Sequence, residues 1–134
     1  MNLIQWTHQP KCNRQGLATV EFALVFPIVM TMSFAAIEFT RLNYLRHSTR
    51  QAAYVAARHI AVPGATSQEA IQAATDYLHA VRIYNGITVN PTLTATEVSV
   101  DVSVSVGQNS WGIGRFVSGN TAMQFTCVLK REKS

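Results

Sequence analysis

An α+β fold is predicted for this chain: a long N-terminal transmembrane helix spine that continues into a small domain holding a second helix and a three- to four-stranded antiparallel sheet. Three observations predict it. Phe22 to Ile37 is sixteen residues without a charge, bounded by Glu21 and Glu38. Beyond Arg41, apolar residues recur at helical spacing as far as Pro63-Gly64, a stop signal. Valines at 98, 100, 102, 104 and 106 then alternate with Ser99, Asp101, Ser103 and Ser105, the two-residue period of a strand with one apolar face.

The apolar run comes first. Its sixteen uncharged residues cover only ~24 Å at the rise of an α-helix, and the flanking turns extend the helix to the ~30 Å of a bilayer core. The chain as a whole is 134 residues, 48% hydrophobic and only 13% charged, poor in charge for a soluble globule. Concentrating the apolar residues in one span accounts for that. Residues 17–39 are therefore read as the transmembrane helix.

Before the run, residues 1–16 carry Lys11 and Arg14 and no acid, the pattern of a segment kept in the cytoplasm while the rest is exported. Glu21 stands near the entrance of the apolar region, where a carboxylate is costly and asks for a partner or a function. An ordinary signal peptide offers a competing explanation, with Ser33-Phe34-Ala35 as a small-x-small cleavage site. Four arginines, Arg41, Arg46, Arg50 and Arg58, follow the span and outnumber the two basic residues before it, so charge alone favours the opposite topology.

Arg14-Gln15-Gly16-Leu17-Ala18-Thr19-Val20-Glu21-Phe22 resembles the processing site of type IV pilin-like precursors. With Val20-Glu21-Phe22-Ala23-Leu24-Val25-Phe26-Pro27, Ile37-Glu38-Phe39-Thr40-Arg41 and Gln51-Ala52-Ala53 through Ala56-Ala57-Arg58, the resemblance narrows to the TadE-like minor pilins and pseudopilins of the tight-adherence (Flp-type IV) pilus system. It covers roughly residues 14–60. The resemblance implies cleavage between Gly16 and Leu17 by a prepilin peptidase on the cytoplasmic side. Residues 1–16 are then a leader, and Glu21 becomes the fifth residue of the mature chain. It also implies N-methylation of the new terminus and anchorage in the bacterial inner membrane, with the C-terminal domain in the periplasm or outside. The implied partners are other pilin and pseudopilin subunits, the inner-membrane assembly platform and membrane lipid. The processing motif overrides the charge count and keeps residues 1–16 in the cytoplasm. In an assembly, the α-amino group of Leu17 can pair with the Glu21 of a neighbour, giving each membrane-embedded charge a partner.

Residues 40–61 read as an amphipathic continuation of the helix, with Leu42, Leu45, Ala52, Ala53, Ala56 and Ile60 on one stripe. The alanines are read as the seat of the chain's own domain in preference to an intersubunit contact. Residues 62–134 form the exported domain, too small for a core of their own and dependent on the preceding helix or on neighbours. Thr66-Ser67-Gln68-Glu69 is a capping box that opens a second helix. Its buried stripe is Ala70, Ala73, Ala74, Tyr77, Leu78 and Val81, and Asn85-Gly86 is its expected exit. Ile87 to Val89 is a short strand ended by Pro91, and Met123, Phe125, Cys127 and Leu129 share one face of another.

No catalytic constellation emerges. His8, His47, His59 and His79 are scattered without a nucleophile or HExxH motif, Gly112-Ile113-Gly114 is a turn, and Cys127 reads as a small buried hydrophobe. No enzyme activity, metal or cofactor is expected. The formal charge of +4 forms no block suited to nucleic acid. Cys12 and Cys127 lie on opposite sides of the span and cannot bridge within one chain. Trp111 and Phe116, set among Gly, Ser and Asn, are candidates for a partner contact. They support the alternative function, a conventionally secreted or membrane-anchored binding module.

Overall fold

The computed structural model describes residues 14–110 and 121–131. In chain order the elements are α1 (Arg14–Ile60), α2 (Ser67–Ala80), β1 (Ile87–Leu93), β2 (Glu97–Ser105), α3 (Val106–Asn109) and β3 (Ala122–Lys130). The chain divides into two compact units, Met1–Ala35 and Ala36–Ser134. The fold is α+β, and among the described residues the sheet has three strands.

Within the first unit, α1 is the described element. It continues through Pro27, whose missing N–H leaves one carbonyl of the preceding turn without its helical donor. Every residue from Gly16 to Ala35 is exposed. Thr31 Oγ1 donates to the Pro27 carbonyl at 2.7 Å, and Ser33 Oγ to that of Val29 at 2.8 Å. These bonds satisfy the hydroxyls inside the helix, as an apolar solvent demands.

The second unit is built on β2, the central strand, which pairs antiparallel with β1 and β3. Val98, Val100, Val102 and Val104 have no exposed surface, and the intervening residues face the other way. Register extends that stripe across the sheet, as in Val89–Val102–Phe125 and Leu93–Val98–Leu129. Over this apolar face lie Leu45, Ala52, Ala53, Ala56, Ala57 and Ile60 of α1, and Ala70, Ala74 and Leu78 of α2. The four alanines are wholly buried within the unit, as a seat for the sheet requires. On the polar face Asp101 accepts from Gln124 Nε2 at 2.7 Å and from Thr126 Oγ1 at 3.0 Å, tying β2 to β3.

The capping box forms as the sequence predicts: Thr66 Oγ1 accepts from the Glu69 N–H, and the Glu69 carboxylate accepts from the Thr66 N–H. Two expectations are corrected. α2 does not leave through Asn85-Gly86. It ends at a Schellman turn, in which Ile83 N–H donates to Leu78 C=O, Arg82 N–H donates to His79 C=O, and Arg82 takes φ +62. Gly86 instead opens β1 at φ +66, and a Cβ there would lie 2.5 Å from the Ser105 Cβ. Nor does Pro91 end the first strand, which runs on to Leu93 with Pro91 opposite Val100. β1 lies at the edge of the sheet, where a residue without an N–H is tolerated.

Candidate functional site

The residues singled out in the N-terminal motif lie on α1. Gly16 is exposed, and a Cβ built on it would meet nothing within 4 Å. The fold gives no steric reason for a glycine there, and a helical glycine costs about 1 kcal/mol relative to alanine. Leu17 is 72% exposed. Glu21 is four residues further on, so the two lie on one face of the helix about 6 Å apart along its axis. Glu21 is also exposed.

Around and beyond Glu21, the large side chains point outward: Phe22, Leu24, Ile28, Met32, Phe34 and Ile37 are each at least 60% exposed. The Phe22 and Phe26 rings touch, with centroids 5.5 Å apart. A contiguous bare surface of this kind is far larger than a water-exposed helix carries and marks contact with lipid or with other apolar surfaces. Gly16–Ile60 is the helix long and apolar enough to cross a membrane, by length and composition.

Residues 16–58 match the family model described as TadE-like protein. This segment is TadE-like. The match holds Gly16, Leu17 and Glu21 together with the alanines that seat the sheet, so the family segment joins the apolar surface to the core of the second unit. A TadE-like segment suggests involvement in the tight-adherence pilus system and, with it, other pilus components as partners. The apolar helix, the one candidate span among the described residues, is compatible with a single-pass membrane protein. Neither the curated proteins nor the solved structures yield a match.

Two residues of the TadE-like segment have roles that sequence reasoning missed. Glu38 is only 7% exposed and accepts a hydrogen bond from Ser110 Oγ. Arg41 Nε donates to the Asn109 carbonyl at 2.7 Å. Asn109 in turn donates through Nδ2 to the carbonyls of Asn85 and Ser105, both at 2.8 Å. Glu38 and Arg41 thus fasten α3 and the residue after it to α1. Arg50 lies over the Phe125 ring, 5.3 Å from its centroid. Two of the four arginines that confuse the topology count are therefore engaged within the folded unit.

Trp111 and Phe116 lie outside the described residues. Cys127 is half-buried on the apolar face of β3, and burial pushes its thiol pKa up, which suppresses the reactive thiolate. Among the described residues no group of three or more His, Cys, Asp or Glu is placed to hold a metal ion.

Proposed function

We propose that this chain is a minor pilin or pseudopilin involved in the biogenesis or assembly of a Tad/Flp pilus for surface adhesion. In this reading it acts as a structural component of that system and not as an enzyme. It is held in the bacterial inner membrane by residues 17–39, with the C-terminal domain on the periplasmic or extracellular side. Prepilin peptidase removes residues 1–16 by cutting between Gly16 and Leu17. The new α-amino group then sits one helical turn from Glu21, and subunits pair it with the Glu21 of a neighbour in the membrane.

The observation that carries this reading is a surface in one place: a bare apolar helix face interrupted near its start by one exposed carboxylate, Glu21, four residues after Leu17. A carboxylate there costs several kcal/mol in lipid unless a positive charge meets it. A glycine at 16 that the fold does not require fits recognition by a peptidase.

A second reading, ordinary secretion of a binding module, draws on the start of the compact unit at Ala36, directly after the small-x-small site. The family match speaks against it, because the matched segment begins at residue 16 and includes the helix that such cleavage would discard.

Two substitutions test the proposal. Gly16→Val is expected to leave the precursor uncut, read as a chain about 2 kDa heavier, with the domain still folded because the site has open space. Glu21→Ala is expected to permit cutting but to impair pilus assembly. Normal pili from Glu21→Ala cells would remove the charge-pairing mechanism.

A further inference from the structure

We infer that the free edge of β3, together with the flank of α1 beside it, forms a docking groove for an extended acidic segment of a partner protein, received as a fourth strand. The inference rests on the unit of residues 36–134 alone and is independent of the pilus reading.

The two edges of the sheet differ. α2 packs against β1. Among the described residues β3 pairs only with β2, so its outer backbone groups face the groove. Val128 on this strand is 57% exposed, and Met123, Phe125, Cys127 and Leu129 are only half-buried, although the β2 valines they pair with are fully covered. Three hollows of about 330, 510 and 740 Å³ follow one another between α1 and β3, from Asn43 and Met123 at one end to Val62 and Lys130 at the other.

The lining carries Arg46, Arg50, Arg58 and Lys130 with His47 and His59, and no carboxylate. Lys130 stands opposite Glu97 in the ladder, but among the described residues no acidic side chain pairs with Arg46 or Arg58. Charge complementarity selects an acidic occupant. It disfavours a second copy, because the other edge strand, β1, holds no charged residue, and a second β3 would bring the same basic wall with it.

Spacing selects an extended one. α1 and β3 run in the same direction along the groove, since Arg46 and Met123 line the hollow at one end and Arg58 and Leu129 the hollow at the other. Arg46, Arg50 and Arg58 are then separated by ~6 and ~12 Å on the helix. Side chains two and four residues apart on one face of a strand recur at ~7 and ~14 Å. Carboxylates at positions i, i+2 and i+6 of an added strand therefore meet the three arginines in turn, while its backbone completes the β3 ladder.

The test uses the full chain in neutral detergent micelles and the peptide Thr-Glu-Val-Glu-Val-Thr-Val-Glu-Thr, with lysine replacing each glutamate in the control. At low salt the acidic peptide is expected to bind at least about tenfold more tightly than the control. Added salt should weaken binding, and the amides of β3 should gain protection from hydrogen exchange. Arg46→Glu combined with Arg50→Glu should reverse the preference between the peptides. Equal binding of both peptides, or binding without protection of β3, overturns the inference. So does β3 protection that rises with protein concentration alone, which gives the edge to a second copy, or displacement of the peptide by phosphatidylglycerol, which gives the arginines to lipid.

Discussion

The helix α1 solves two different problems with two different alphabets. Between Leu17 and Ile37 it turns Leu, Phe, Ile and Met outward, and every residue from Gly16 to Ala35 is exposed. Between Leu45 and Ile60 the bulky aliphatics give way to alanine, and Ala52, Ala53, Ala56 and Ala57 disappear completely beneath the sheet. Hydropathy alone does not separate these cases. Side-chain size does: large residues serve where a fluid solvent of lipid tails or a neighbour supplies the cover, and small ones serve where a sheet must come close. The lesson is that a long apolar helix is to be read by what each stretch requires of its surroundings.

That contrast can be broken from either side. Val102→Asp places a carboxylate at the fully buried centre of the sheet and is expected to cost at least about 4 kcal/mol, enough to abolish protease resistance of the second unit. Membrane retention of the same variant should be unchanged, because the apolar side chains from Leu17 to Phe34 stay outward. Val25→Asp is the converse. It should cost about 2.5–3.5 kcal/mol of membrane insertion and release chain into the alkaline-extractable fraction. The melting temperature of the second unit should not move.

Smaller changes sharpen the boundary between the two stretches. Glu38 follows the apolar run immediately, yet it is buried in the second unit and bonded to Ser110. Glu38→Ala is therefore expected to destabilise that unit by about 1.5–3 kcal/mol in a thermal or denaturant melt. If Glu38 served only the membrane boundary, the melt would not change. Smallest of all, Arg82→Gly should relieve the left-handed backbone after α2 and raise stability by about 0.5–1 kcal/mol.

Much of this architecture is legible in the residues, and the failures have physical causes. The alternating valines from Val98 to Val104 declare the central strand and its buried face, because period two with one apolar face admits few other solutions, while Val106, the fifth of the series, falls in α3. The capping box fixes the start of α2, since Thr66 and Glu69 act within a single turn. The end of α2 is misread because an arginine takes the left-handed position that glycine usually signals. Pro91 is misread because its tolerance depends on lying in an edge strand, a property of sheet order that no local pattern contains. Glu38 is invisible as a buried residue because its partner, Ser110, is distant in sequence.

Of the candidate site, Gly16, Leu17 and Glu21 stand out through their spacing before and within the apolar run, and the structure adds that the glycine has no steric cause. The aromatic pair Trp111 and Phe116 was legible only as composition. The arginines Arg46, Arg50 and Arg58 enter the sequence reading only as part of the charge count after the span. Their alignment along one groove with β3 emerges only when strand and helix are set side by side.

The central claim is that the apolar helix is kept on a mature chain that begins at Leu17. The most direct test is the N-terminal sequence and intact mass of the protein extracted from its native envelope, with and without prepilin peptidase. The account predicts a chain starting at Leu17 when the peptidase is present and the full precursor when it is absent. A chain starting at Ala36 in both cases would contradict it, since that product has lost the helix on which the proposed anchorage and charge pairing depend.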